Sequence, residues 1–428
     1  MNGNGPAVWP APPAGGRRRQ SRAEVPIHDL ATLLGSMAVD DFVRRFRARQ
    51  TTLIRGDKPA RLRALLDWPA VNDLLVREGF DVSRIKVTRN GALVGRFLYT
   101  EHDVPARLNL AALAQILGKG ATLVIDGIDG MIPALRRLCV AVERTLRARA
   151  WINAYLTFFT GGGFGPHWDN HDVLILQISG DKRWRFFGPP EPSPLSEIGR
   201  DAVAPKAVIG EELLCAGDLL FIPRGHWHDA EVIGDSSVHL TMGLHSRTGV
   251  DWAAWLGAQA AAEEIFRRDL PLLGGRGPLH DHVARLKRRL IERVRTASVE
   301  EFLADSDAAR EVPAVINLGL PAKLPASARV QLALRAAPRL SSTPAHERIA
   351  LMLGSQTLEL SRAAAAVLEH LADAGEITAG ALRRAMNKDL SGAEVDAALA
   401  ELARLCLVTV EVALAPAKSR RRSRGAGL

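Results

Sequence analysis

Cysteine is scarce. Cys139, Cys215 and Cys406 are odd in number and far apart in the chain. They build neither a disulfide framework nor a thiolate zinc set, which points to a reduced, cytoplasmic protein. Long apolar runs are missing too: no stretch reaches the roughly eighteen residues that a membrane helix needs. The N-terminal residues hold no apolar core followed by a small-residue cleavage site, so neither secretion nor a membrane span is expected. Acids are missing from both ends. Residues 1–22 carry Arg17, Arg18, Arg19 and Arg22, and residues 416–428 carry Lys418, Arg420, Arg421, Arg422 and Arg424, with no Asp or Glu in either stretch. Those basic residues account for the whole formal excess of +9, so the rest of the chain is close to neutral. Two such Pro-, Gly-, Ser- and Arg-rich tails are expected to be disordered and suited to weak, salt-dependent contact with RNA. A neutral body lacks the electrostatic footprint of a sequence-specific nucleic-acid reader.

What is present is a change of period along the chain. Residues 25–78 place apolar groups at helical spacing, interrupted by a short strand from Thr51 to Ile54, and helices are expected again over 108–117 and 132–148. From about residue 152 short strand-like runs follow, separated by Gly, Pro and Asp: "INAYLTFF", "HDVLILQISG", "KRWRFFGPP", "ELLCAGDLLFIPRG" and "SSVHLTMGLH". Many short strands at close spacing suggest a sandwich or barrel. Long helices are expected over 251–268 and 281–303, a helical pair whose apolar stripe calls for a partner and predicts a homodimer. After a less regular stretch, residues 306–340, three helices closed by the strand "CLVTVEVAL" suggest a winged-helix domain. Ser391 and Glu394 form a capping-box pattern at its third helix. That helix holds Glu394, Asp396 and Glu401 against Arg404, a poor face for DNA, so a protein-contact role is the reading.

The chemistry sits in "GFGPHWDNHDVLILQISGDKRW", residues 163–184. His167 and Asp169 are two residues apart, which on a strand puts both on one face. A third ligand is available from "GDLLFIPRGHWHD", where His226 and His228 follow a Pro-Arg-Gly turn. Two histidines and a carboxylate are the facial triad of non-haem Fe(II) oxygenases, which leaves positions open on the metal. The donor set alone also suits a zinc hydrolase.

The residues Asn153-Ala154-Tyr155, then His167 to Trp184, then Gly217 to Ala230 resemble the JmjC-type cupins, particularly the branch that contains the ribosomal oxygenases. The resemblance selects His167, Asp169 and His228 as the metal ligands, over Asp172 and His226. It implies Fe(II) with 2-oxoglutarate as cosubstrate and a double-stranded β-helix (cupin/jelly-roll, JmjC type) within an α+β chain. After the basic tail over 1–22, the layout predicts a JmjC/cupin catalytic domain with N-terminal helices over 23–248 and a helical dimerisation region over 249–335. A winged-helix-like domain would follow over 336–415 and a second basic tail over 416–428. Lys182, fifteen residues after His167, falls at the family's position for pairing with the far carboxylate of 2-oxoglutarate, with Asn153, Thr241 and Tyr155 expected in the same pocket. His239 reads as a pocket or core histidine.

The function implied is hydroxylation of an arginine or histidine side chain of a ribosomal protein, coupled to conversion of 2-oxoglutarate into succinate and CO₂. Two other readings stand beside it: hydroxylation of a natural-product precursor peptide or another non-ribosomal substrate, and a non-catalytic cupin/winged-helix scaffold. The triple glycine before the site, Trp168 between the ligands, His171 and His226 depart from the family's usual pattern. Glu191, Glu197, Glu211 and Glu212 are candidates for an acidic approach to a basic substrate.

Overall fold

The computed structural model describes residues 26–56, 59–89, 91–101, 106–159, 164–195, 203–273, 276–308, 315–321, 323–342, 348–353 and 356–412. The two basic tails, the glycine run 161–163 and Glu197 lie outside the described residues. The chain forms two compact units that divide between Thr248 and Gly249.

The first unit is an α+β assembly. Its strands are β1 (Thr52–Ile54), β2 (Ile85–Arg89), β3 (Ala92–Leu93), β4 (Thr100–Glu101), β5 (Arg107–Leu108), β6 (Thr122–Ile125), β7 (Arg149–Phe158), β8 (Asp172–Phe187), β9 (Val208–Leu214), β10 (Leu219–Ile222) and β11 (Trp227–His245). Nine of them form one sheet in the order β1-β10-β8-β11-β7-β6-β2-β3, with β9 on the far half of β8. Its ladders are antiparallel throughout. Helices α1 (Leu30–Leu34), α2 (Val39–Arg47), α3 (Pro59–Arg63), α4 (Trp68–Leu75), α5 (Leu110–Leu117) and α6 (Pro133–Leu146) accompany it.

The apolar start of β8 follows from what covers its two faces. Leu174, Leu176 and Ile178 point into the main core, with Phe42, Leu138, Phe221 and Met242. Val173 and Ile175 point the other way, into a smaller cluster with Trp184, Leu214, Leu220 and Ile222. A strand buried on both sides reads as a continuous apolar run rather than an alternation, and each such side chain contributes about 1.5–3 kcal/mol of burial.

One irregularity controls which residues share a face. β11 pairs with β8 from Trp227↔Phe187 to Ile233↔Asp181, then shifts register before Val238↔Ser179 and again before His239↔Gln177. Facing the shift is Gly180, with φ of +68° and a Cβ position only 2.0 Å from the Ser236 carbonyl oxygen. No side chain fits there, and the left-handed φ favours glycine. The buried Gln177 amide braces the same place, donating to the Ser237 hydroxyl at 2.8 Å and to the Ser179 and Gly180 carbonyls. The strands therefore change phase here. Odd-numbered Val173 and Ile175 line the same cavity as even-numbered Lys182 and Trp184, and His228 the same cavity as His239 and Thr241.

The second unit holds α7 (Gly249–Ala260), α8 (Glu264–Arg267), α9 (Arg276–Thr296) and α10 (Val299–Ala308), then β12 (Arg329–Leu332), β13 (Arg339–Ser342), β14 (Arg348–Leu353), β15 (Gln356–Ser361), α11 (Arg362–Ala374), β16 (Ile377–Thr378), α12 (Ala379–Ala385), α13 (Gly392–Arg404) and β17 (Val408–Glu411). The expected helix over 281–303 is two helices, broken between Thr296 and Val299, where Ser298 accepts from the Glu301 amide in place of a helical carbonyl. The stretch 306–340 holds β12 and the start of a second small sheet. The two sheets run β16-β12-β17 and β13-β14-β15 around α11–α13. Ser391 and Glu394 make the expected capping box.

Candidate active site

His167 and Asp169 do not lie on a regular strand, as two-residue spacing suggested. β8 begins at Asp172, and His167 makes only an isolated bridge with His228. That bridge is what brings the ligands together. The His167 amide donates to the His228 carbonyl at 3.0 Å, and the His228 amide returns a bond to the His167 carbonyl at 2.8 Å. The two imidazole centroids are 4.4 Å apart, and His228 Nε2 lies 3.7 Å from Asp169 Oδ2. One ligand atom from each of the three residues falls within 4.8 Å of the others.

Both rings are set for a cation. His167 donates its Nδ1–H to the Gly165 carbonyl at 2.8 Å, and His228 donates its own to the His226 carbonyl at 2.9 Å. A backbone acceptor on Nδ1 fixes the tautomer and leaves Nε2 with its lone pair, the orientation that metal-bound histidines take. Burial, with the neighbouring His167, pulls the His228 imidazole down to about 4, so it is neutral at physiological pH. Two imidazole nitrogens and one carboxylate, with no sulfur donor in the cluster, suit a divalent iron-type ion and leave further coordination positions open.

The turn that delivers His228 is clamped from three directions. The Gly225 amide donates to the Asp169 carbonyl at 2.9 Å, and the Gly225 carbonyl accepts from the Glu191 amide at 2.8 Å. Asp172, almost fully buried, accepts from the Arg224 amide at 2.9 Å and from the Arg49 guanidinium at 2.5 Å. Asp172 is thus the anchor between the two ligand segments. His226 turns aside to Thr51, with 3.2 Å between its Nδ1 and the hydroxyl. His171 packs on Trp151, ring centroids 4.8 Å apart, and its Nδ1 meets Asn170 Oδ1 at 3.0 Å. Trp168 stands edge-on to Trp227 at 6.4 Å.

A cavity of about 210 Å³ opens from the three ligands. Val173, Ile175, Phe164 and Trp184 give it apolar walls, and Lys182, Thr122, His239, Thr241 and Tyr155 give it polar ones. Lys182 is 5% exposed. Burial pulls its amine down to about 7, against a smaller upward pull from Asp229. Tyr155 lies flat on His239, centroids 4.8 Å apart and planes 9° from parallel. Burial first, then the nearby carboxylates of Asp169 and Asp126, push its phenol well up, so the hydroxyl keeps its proton.

Of the residues singled out in the sequence, Lys182, Thr241 and Tyr155 line this cavity and Asn153 does not. Asn153 Oδ1 instead accepts from the Gly127 amide at 2.9 Å. Arg183 turns out to Glu211. Glu211 also meets Arg185, and Glu212 meets Arg55, so these two acids are spoken for locally. Thr122 and Thr157 were not foreseen. Their hydroxyls sit 3.0 Å apart behind Lys182. Thr157 is two residues beyond Tyr155 on the same strand face, which was the available signal.

Residues 130–251 match the model of the JmjC domain family. The chain is 30% identical over 258 residues to ribosomal oxygenase 1 of Rattus norvegicus, covering 56% of this chain and 41% of that protein. It is 26% identical over 290 residues to the bifunctional lysine-specific demethylase and histidyl-hydroxylase NO66 of Aedes aegypti, covering 63% and 44%. The chain thus spans less than half the length of these curated relatives. Its fold is similar to that of YcfD, a ribosomal oxygenase from Escherichia coli, with a TM-score of 0.52 at 15% identity over 88% of this chain and 99% of that one.

Proposed function

We propose that this chain, whose residues 130–251 match the JmjC domain family and which is similar to ribosomal oxygenase 1, is an Fe(II)- and 2-oxoglutarate-dependent hydroxylase acting on an arginine or histidine side chain of a ribosomal protein. The observation that carries the proposal is the convergence of His167, Asp169 and His228 on one point, at the mouth of a cavity with a buried lysine in its wall.

Iron bound there would supply the oxygen chemistry, joining decarboxylation of 2-oxoglutarate to hydroxylation of an unactivated C–H bond. The protein's part is positional. His167, Asp169 and His228 hold three positions of the metal and leave the rest open toward the cavity. Lys182 offers a cation to the far carboxylate of the cosubstrate, a buried charge matched by its opposite. Thr241 and the protonated Tyr155 offer hydroxyls along the way. Val173, Ile175, Phe164 and Trp184 keep the intervening space apolar.

In this reading the double-stranded β-helix is formed by the long β8 and β11 with their partners, and the His167–His228 bridge draws its mouth together. Residues 336–415 serve as a winged-helix-like contact module. α9 exposes Leu290, Ile291 and Val294 in one patch, apolar surface suited to a second copy of the chain. The basic tails hold ribosomal RNA loosely.

The test is anaerobic loading with Fe(II) and 2-oxoglutarate, then oxygen and a mixture of intact bacterial ribosomal proteins, with His167→Ala in parallel. A ribosomal peptide heavier by one oxygen atom, formed in step with succinate and absent from the variant, is the expected result. Succinate without a modified ribosomal peptide would keep the oxygenase and discard that substrate. Neither product, with iron bound, would reject the proposal.

A further inference from the structure

Lys182 is buried beside a cavity that Asp229 also lines, and among the described residues two groups come within hydrogen-bond distance of its amine. His239 Nδ1 lies 3.2 Å from Nζ and Thr157 Oγ1 at a long 3.4 Å. Neither is an accident of packing. Thr157 is held by its bond to Thr122. His239 is clamped between Tyr155, stacked on one face, and Trp184, edge-on at 5.8 Å. It is 3% exposed.

An ammonium group has three N–H donors and no acceptor. Set against this geometry, one donor goes to His239 and one to Thr157, which leaves the third for the cavity. His239 can accept at Nδ1 only as the neutral imidazole with its proton on Nε2. Burial, together with the neighbouring lysine charge, holds it neutral, well below its ordinary range.

From this geometry we infer that His239 is a positioning residue that selects a dicarboxylate cosubstrate: it fixes the Lys182 ammonium so that its remaining N–H meets the far carboxylate. The inference rests on the 2-oxoglutarate reading above and adds to it. His239 lines the cavity at its Lys182 end, 3.2 Å from the amine, so its effect is expected at the far carboxylate rather than at the metal. Without an acceptor at that place, the buried amine keeps one long hydrogen bond, to Thr157, and the charged form that a carboxylate needs is disfavoured.

The test is calorimetric titration of the full-length protein loaded with Mn(II), without turnover, using 2-oxoglutarate and, separately, pyruvate, which lacks the far carboxylate. His239→Leu is expected to weaken 2-oxoglutarate roughly tenfold to a hundredfold, as for the loss of a hydrogen bond to a charged group, and to leave pyruvate unchanged. His239→Asn is expected to restore most of the loss, because Asn Oδ1 is bonded to Cγ just as Nδ1 is and can accept in its stead. Equal weakening of both ligands, or an Asn variant no better than Leu, would overturn the inference, since either result describes damage to the fold. A wild-type protein that binds metal but shows no preference for 2-oxoglutarate over pyruvate would overturn the parent reading, and the inference with it.

Discussion

Lys182 carries a pH signature as well as its proposed role toward the cosubstrate. Burial holds its amine at about 7, against 10.5 for an ordinary lysine. Below pH 7 the folded and unfolded chains both bind the proton, and the folded one bears the full cost of a buried charge. Between pH 7 and 10.5 the unfolded chain binds more protons, so this residue makes stability rise with pH through that window and adds nothing further above it. Lys182→Met should therefore be the more stable protein at pH 7 when metal and cosubstrate are absent, with its advantage shrinking toward pH 10.5. Urea midpoints of both proteins across the window check this, and an advantage that stays constant would contradict it. At this scale the sequence was most legible where chemistry demands particular side chains. The spacing of His167 and Asp169, with the histidines after Pro223, names donors, and the family resemblance singles out His228 among them and Lys182 fifteen residues after His167. Asp172, Asn153 and Thr157 were not legible in the same way. Their roles depend on Arg49, Gly127 and Thr122, partners brought up from distant segments by strand pairing and loop packing.

At the scale of elements, the ligand-bearing turn rests on one glycine. Gly225 has φ of +81°, and a Cβ there would lie 2.2 Å from the Glu191 carbonyl oxygen. Gly225→Ala must push the turn away from Glu191, and the same residue's amide anchors the Asp169 carbonyl. Iron affinity is expected to fall roughly tenfold or more, as it does when groups supporting metal ligands are lost. Titration of the apoprotein with Fe(II) under nitrogen reads this directly, and unchanged affinity would show that the turn can relax. Elements whose ends carry local signals were readable in advance: α13 starts at its capping box, and β10 is a four-residue apolar run ahead of Pro223. Breaks without Pro or Gly were not. The interruption between α9 and α10 lies in "TASVEE", where nothing but a serine competes with the helix. The sheets in 329–361 were missed because their strands are short and their alternation is weak.

At the scale of the molecule, the three candidate ligands and the cavity lining all fall before residue 249, within the first unit. That unit has its own extensive core, from Ile27 to Leu244. A chain ending at Thr248 is thus expected to bind one Fe(II) with an affinity within a few-fold of the full-length protein. Metal analysis after gel filtration checks this; a fragment that folds by circular dichroism yet retains no iron would show that the second unit completes the site. Among the described residues, no helix is long and apolar enough to cross a membrane. The coarse α+β character was legible from the change of hydrophobic period near residue 152. The order of strands in the large sheet was not, because β10 reaches β8 and β1 across long stretches of chain, and such pairings leave no local trace.

The phase change at Gly180 and the β11 shift also constrains how this gene can vary. His228 and His239 are separated by an odd number of positions, yet both line the cavity. Loss or gain of a single codon between Ile233 and Val238 would turn His239 and Thr241 toward the main core and bring Val238 and Leu240 round to the metal side. Loss or gain of two would leave them where they are. Heritable length variation in this stretch should thus run in even steps, with odd steps surviving only beside a compensating change at Gly180.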